Sequence, residues 1–251
     1  MKILAITQAR YGSSRLPAKI LKTVSGKTLL EIHLTRILQS KRISKLKIAT
    51  TTEEGADKIV AIGEKVGVGS YKGSIDDVLE RFYFTALSEN PDYLVRLTSD
   101  CPLIDPREID KVIDACISEN VDYASNALTP TFPDGIDVEV FKFSALKKAY
   151  EEATLKSDRE HVTPYIWRNS TEKNGTIFTS INVSNPQDYS KYRITVDTDK
   201  DFAVMQKLIE ELGTDKRWFD YVSFLDNNEN IKAINAEYER NEGYSKSIKN
   251  N

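Results

Sequence analysis

Three cations crowd one short stretch near the start of the chain. In "QARYGSSRLPAK", Arg10, Arg15 and Lys19 surround Gly12, Ser13 and Ser14, directly after an apolar run. Arginine offers a planar fork of donors suited to phosphate, and lysine a compact point charge. Gly12 is read as freeing the backbone so that successive N–H groups can cradle phosphate oxygens. The plain alternative for these residues is a solvated basic turn. Acidic residues at the ends of later strands are the natural counterpart. Asp100, in "RLTSDCPLID", closes a strand; Asp197 and Asp199, in "ITVDTDKD", close another and open a helix. Few protein oxygens combined with phosphate oxygens is what Mg²⁺ prefers, so Asp100, Asp197 and Asp199 are candidate metal ligands. Asp100 could instead cap a turn, and Thr198 could cap the helix with Asp201 three residues on.

Two further groups could meet a second substrate. Asp137 and Glu139, in "DGIDVEVF", share a face if the segment is a strand, which suits recognition of sugar hydroxyls, support of a metal, or a solvent-facing edge. Arg159 and His161, in "SDREHVTPYIW", could reach an anionic acceptor, although Ser157 and Glu160 have capping-box spacing and a histidine beside a proline is commonly packed. Two common phosphate signatures fail. "GKT" at 26–28 lacks the upstream glycine of a P-loop, since position 21 is Leu21, and no G-x-G-x-x-G follows the first strand.

The elements that must hold these residues are legible in the periodicity. Residues 2–8, 46–51 and 92–98 read as buried strands. "GKTLLEIHLTRILQS" carries Leu30, Leu34, Ile37 and Leu38 on one helical face, and 55–67 reads as a helix closed by Gly67. Another helix carries Ile75, Val78, Leu79, Phe82 and Ala86. A strong helix start follows at Asp105, with Pro106 first and Glu108 three after the cap. This alternation predicts an α/β fold with a mostly parallel, Rossmann-like sheet. After about residue 120 the rhythm changes, and strands at 122–128, 135–141 and 175–183 with a helix at 142–153 suggest an antiparallel extension. A strand at 192–198 and a helix at 199–212 complete the pattern. Residues 1–240 read as one domain, with 122–195 as the acceptor-side region and 241–251 as a polar, frayed tail. Ligands of open α/β sheets bind outside the carboxyl ends of the strands, so the loops after 8, 98 and 197 are expected to share one crevice.

Totals narrow the function. The 251 residues carry a formal charge of -3, which argues against nucleic acid as a partner and makes any basic site local. Two cysteines imply no disulfide framework, and two histidines make a histidine-rich zinc site implausible. No apolar run reaches membrane-spanning length and the N-terminus lacks a signal-peptide pattern, so a cytoplasmic protein is expected. A homodimer is the commonest assembly.

In order along the chain, "QARYGSSRLPAKIL", "RLTSDCPLIDP", "YASN", "DGIDVEVF", "REHVTPYI" and "ITVDTDKDF" resemble the cytidylyltransferase family that includes the CMP-sialic acid and CMP-KDO synthetases, nearest to the branch of spore-coat polysaccharide biosynthesis. The resemblance spans roughly residues 1–210. It implies a nucleotide-diphospho-sugar transferase fold and Mg²⁺-dependent attack on the α-phosphate of CTP with release of pyrophosphate. Arg10, Ser13, Arg15 and Lys19 would then bind the triphosphate, with Arg15 and Lys19 catalytic. Gln8, Ala9, Gly12, Thr50, Thr51 and Thr98 would border the nucleotide, and Asp100 and Asp197 would hold the metal. The chain departs from the ulosonic-acid pattern "ARxGSKRxPxKN" at Ser14, which replaces the Lys, and at Ile20, which replaces the Asn. The acceptor implied is a small molecule: a sugar acid, a sugar phosphate or another phosphorylated alcohol. Two rival readings are a glycosyltransferase using "DTD" at 197–199 as a D-x-D site, and a non-catalytic nucleotide-binding protein.

Overall fold

The structure is a computed structural model and describes residues 1–13 and 15–249, with the backbone only at Lys246. Seven strands form one sheet in the order β5-β4-β1-β6-β8-β7-β9. These are β1 (Ile3–Gln8), β4 (Lys45–Thr51), β5 (Gly69–Gly73), β6 (Tyr93–Thr98), β7 (Tyr123–Ser125), β8 (Glu139–Lys142) and β9 (Ser180–Asn182). β1 pairs in parallel with both β4 and β6, and β4 in parallel with β5. β8 runs antiparallel to β6 on one side and to β7 on the other, while β7 and β9 are parallel. One reversed strand therefore makes the antiparallel part.

Side chains on β1 alternate between faces and explain the layering. Ile3 and Ala5 join the core under α1 (Leu29–Ile37), α2 (Ala56–Lys65) and α4 (Pro106–Ser118). Leu4 and Ile6 join the core under α3 (Val78–Leu87), α5 (Phe143–Glu152) and α7 (Pro164–Arg168). Both faces are thus covered, as a largely parallel sheet requires. A third core is built by α8 (Asp199–Leu212) and α9 (Trp218–Asp226) against Leu16, Leu29, Ile32, Phe132 and Val196. It underlies the basic turn. The remaining elements are α6 (Lys156–His161), α10 (Glu229–Lys232) and α11 (Glu242–Ile248).

Four expectations change. The predicted helix at 26–40 starts later: β2 (Thr23–Val24) and β3 (Lys27–Thr28) form a hairpin first, turning through Ser25 and Gly26 at positive φ, and Thr28 Oγ1 then caps α1 by accepting from Glu31 N at 3.1 Å. Residues 192–198 form no strand. They lie extended, pinned by Asp134 N to Tyr192 O (2.9 Å), Ile194 N to Asp134 O (2.8 Å) and Val196 N to Asp100 O (2.8 Å). Gly135 permits this approach: its φ is 110°, and a Cβ there would lie 2.6 Å from Ile194 O. β5 and α9 went unread. Residues 242–248 are the helix α11, packed on α6, not a frayed tail.

Candidate active site

The loops leaving β1 and β6 and the extended segment 192–198 converge on one cavity of about 520 Å³. That size suits a nucleotide-scale ligand. Its mouth is electrostatic. Lys19 Nζ lies 3.2 Å from Asp100 Oδ2 and 2.8 Å from Asp197 Oδ1. Arg15 Nη2 lies 3.1 Å from Asp197 Oδ1, and Arg15 Nη1 lies 3.5 Å from Glu242 Oε2. The basic turn and the distant acidic side chains therefore meet. Burial alone would raise the Asp100 carboxyl; Lys19 and the Thr98 hydroxyl more than offset it and hold the group below the usual carboxylate range. For Lys19, burial works against the charge, and the two carboxylates overcome it and raise the ammonium.

The loop geometry has a different basis from the one its glycine suggested. Gly12 is not at positive φ; Ala18 is, at 50°. Glu53 comes close instead: its Oε1 accepts from Tyr11 N (2.7 Å) and Gly12 N (3.0 Å), and a Cβ on Gly12 would meet Glu53 Oε2 at 2.9 Å and make that side chain shift. Glu53 braces the turn by filling two N–H groups. Gln8, Ala9, Arg10 and Ser13 line the cavity, and so do Thr98 and Asp100. Ser14 lies outside the described residues.

Arg193 is a residue the sequence reading missed. Its guanidinium holds Asp201 through Nε (2.8 Å) and Nη2 (2.9 Å), Asp134 through Nη1 (2.6 Å) and Asp197 through Nη2 (3.3 Å). Asp201 in turn accepts from Asp197 N and from Thr198 N, both at 3.0 Å, the second completing the capping box of α8 with Thr198. Asp197 is thereby oriented from two sides. Arg96 was also missed, although a charge inside the apolar run of β6 is itself a signal. Its Nε donates to Gln8 Oε1 at 3.2 Å and its Nη1 to Glu139, whose other oxygen accepts from Tyr123 OH and Thr163 Oγ1, both at 2.6 Å. The Gln8 carbonyl is thus engaged at the cavity wall.

Several candidates are placed elsewhere. Thr50 and Thr51 are fully buried in β4 and do not line the cavity. Asp199 faces outward, 80% exposed, with Lys22 Nζ at 3.5 Å, so it is not a metal ligand and "DTD" is not a convergent D-x-D pair. Arg159 points away, to Asp77 Oδ2 (2.6 Å) and the carbonyls of Tyr150 and Ala153. It ties α6 to the cap of α3, because its helix turns that face inward. Asp137 and Glu139 share the cavity with His161, although Asp137 lies before β8 and not on it. Asp137 is met by Arg240, and His161 Nε2 lies 2.9 Å from Ser247 Oγ. Burial, with Asp137 alongside, pushes Asp134 up to about 7 against Arg240 and Arg193. His33 is a structural histidine: burial pushes it down to about 4, and it spans from Thr7 Oγ1 to Cys101 O, 2.9 Å each, steadying the Asp100 loop.

The fit to a divalent cation can be read from Asp100 and Asp197. Both touch one ammonium, so their oxygens lie within about 6 Å of each other and already converge on a positive charge. Hard carboxylate oxygens in that arrangement suit Mg²⁺ completed by phosphate oxygens. Among the described residues no cluster of three or more His, Cys, Asp or Glu groups forms an all-protein metal cage. No helix among them is long and apolar enough to cross a membrane.

Comparison with known proteins gives three kinds of likeness. A family model described as cytidylyltransferase matches residues 4–238. The chain is 38% identical over 242 residues to an uncharacterized protein of Methanocaldococcus jannaschii, spanning 94% of this chain and 95% of that one. It is 34% identical over 218 residues to the spore coat polysaccharide biosynthesis protein SpsF of Bacillus subtilis, spanning 84% and 88% of the two chains. A solved cytidylyltransferase from Leptospira borgpetersenii superposes with a TM-score of 0.87 at 34% identity, over 95% of this chain and 100% of that chain.

Proposed function

Since the chain belongs to the cytidylyltransferase family, and is thereby a nucleotidyltransferase, we propose that it couples CTP to an oxygen of a sugar acid, sugar phosphate or other phosphorylated alcohol. Pyrophosphate leaves, and the activated product feeds synthesis of a surface polysaccharide in the cytoplasm. The observation that carries the reading is the meeting of Arg15 and Lys19 with Asp100 and Asp197 at one cavity mouth. The name of the Bacillus relative supports the polysaccharide role.

The chemistry asks for positioning and charge neutralisation more than for covalent help. Arg10, Arg15 and Lys19 receive the triphosphate, and Arg15 and Lys19 stabilise the charge that gathers on the departing pyrophosphate. Gln8, fixed by Arg96, presents its NH₂ to the nucleoside. Asp137 and His161 face the acceptor from the far wall, where Glu139 is occupied in holding Arg96. Asp100 and Asp197 would hold Mg²⁺, with Arg193 fixing the Asp197 carboxylate. When bound, the ion supplies neutralisation of phosphate oxygens. An in-line approach of the acceptor oxygen, opposite the pyrophosphate, then needs no protein nucleophile.

A pyrophosphate-release screen of CTP, UTP, ATP and GTP against sugar acids, sugar phosphates and simple phosphorylated alcohols tests the proposal. Release with CTP and one acceptor class is the expected result. Turnover of a sugar-nucleotide with release of nucleoside diphosphate, or CTP binding with no turnover across all acceptors, would overturn it.

A further inference from the structure

A charge inside an apolar helix face needs a reason. α3 turns Val78, Leu79, Phe82 and Ala86 inward, and Arg81 goes in with them, only 2% exposed. Its stem lies against Gly73 at the end of β5, where a Cβ would stand 3.1 Å from Arg81 Cγ and 2.9 Å from the Tyr71 ring. Burial, and then the charge of Arg10, pull the guanidinium down to about 10, with Glu53 and Asp77 acting the other way. Both acids are engaged elsewhere. Glu53 holds the Tyr11 and Gly12 N–H groups, and Asp77 caps α3 and binds Arg159.

Arg81 therefore has a free edge. Nη1 donates to the carbonyls of Ser74 and Ile75. Nε is buried with no partner, and Nη2 makes no hydrogen bond among the described residues. A buried donor left unpaired is costly, so this edge calls for an acceptor. Nε and Nη2 point two N–H groups side by side, which matches two adjacent acceptor atoms. Arg81 and Val78 lie one turn apart on α3 and both line the cavity, so the edge stands beside an apolar surface. That setting suits a flat ring better than a phosphate, which the Glu53 carboxylate would oppose. Cytosine offers N3 and O2 as neighbouring acceptors. Uracil carries a hydrogen on N3 and cannot. Resting on the reading of the cavity as a CTP site, we propose that Arg81 selects the base: its Nε–Nη2 edge donates to N3 and O2 of cytosine, as the pairing edge of guanine does. Arg15 and Lys19 hold the phosphates at the mouth, so the base and the phosphates are read by different cations.

The test titrates the full chain by calorimetry with CTP, UTP, pyrophosphate and 3-deaza-CTP, in which C–H replaces N3. Wild type should bind CTP about 10- to 100-fold more tightly than UTP, the discrimination typical of one bidentate pair, and 3-deaza-CTP should bind about as weakly as UTP. Arg81→Lys keeps the charge and loses the fork. Its affinity for CTP should drop to near that for UTP, with pyrophosphate binding unchanged. The 3-deaza-CTP comparison is made on wild type and so does not depend on the variant folding. If 3-deaza-CTP binds as CTP does, if Arg81→Lys keeps the preference for CTP, or if it weakens pyrophosphate as much as CTP, the inference is wrong while the nucleotide site stands. If wild type binds neither nucleotide nor pyrophosphate, the functional reading falls and takes this one with it.

Discussion

Lys19→Met separates the roles of the cavity mouth because its effects should run in opposite directions. Methionine keeps roughly the length of the side chain and removes its charge. In the protein Nζ lies 3.2 Å from Asp100 and 2.8 Å from Asp197, with the side chain only 15% exposed. Each contact is worth about 5–6 kcal/mol of Coulomb energy at an effective dielectric near 20, most of it offset by desolvation. Breaking such a pair usually costs about 3–5 kcal/mol. Here Asp197 keeps Arg15 and Arg193, so a loss near the lower bound, about 3 kcal/mol, is expected in urea denaturation. Turnover should fall about 10²–10³-fold, the effect of removing one preorganised donor from a developing charge. Binding of Mg²⁺ in the absence of nucleotide should tighten instead, since no ammonium competes for the two carboxylates. The Asp100 carboxyl, no longer held down by Lys19, should rise, so metal binding by the variant should weaken as pH falls sooner than in wild type. Steady-state pyrophosphate release and a magnesium titration measure both arms. Near-normal turnover, or metal binding that weakens along with turnover, would refute the placement of Lys19 between the two acids.

Asp100→Asn and Asp197→Asn should each abolish divalent-metal-dependent turnover while staying folded, whereas Asp199→Asn should titrate with metal as wild type does; equal loss at Asp199 would contradict its outward position. Arg193→Met should raise the metal concentration needed for half-maximal rate about tenfold, through loss of one charged hydrogen bond on Asp197, with little change in KM for CTP; an unchanged metal requirement would remove Arg193 from the positioning of Asp197. Glu89 gathers Lys45, Lys47 and Lys2, whose hydrogen bonds pull its carboxyl down to about 2. A depressed carboxyl contributes stability above its ordinary pKa and loses it as pH falls toward the folded value. Glu89→Gln should therefore destabilise by about 1–2 kcal/mol at pH 7, with the gap closing in acid, as urea midpoints at pH 7 and pH 3 would reveal.

How much of this could be read from the chain depended on how local the cause was. The caps of α4 and the apolar stripes of α1 and α3 are written in neighbouring residues, and so were legible. β5 was not, because "GSYKG" is short, polar and half-exposed at the sheet edge. Residues 192–198 alternate like a strand, yet their partners are Asp134 and the backbone of Asp100, far away in sequence. The cations of the first turn stand next to one another in the sequence, but the approach of Glu53 to Gly12 is something no local pattern discloses. Arg159 and Asp199 carried the right chemistry on the wrong side of their helices; for such residues only the packing decides. Glu242 was overlooked for the opposite reason: its segment is polar, and its place beside Arg15 is set by packing far away in sequence.

The third core joins segments far apart in the chain. Leu16, Leu29 and Ile32 from the first turn and helix pack with Tyr192, Val204, Trp218 and Leu225 from the last quarter of the chain. During synthesis Leu103, Phe132 and Ile136 can cover part of those early leucines, but about 190 residues must emerge before the rest of their shelter begins to arrive. The basic turn, made early, is thus completed late, and a chain stalled before α8 and α9 would display a sticky, half-built cavity wall to chaperones and proteases.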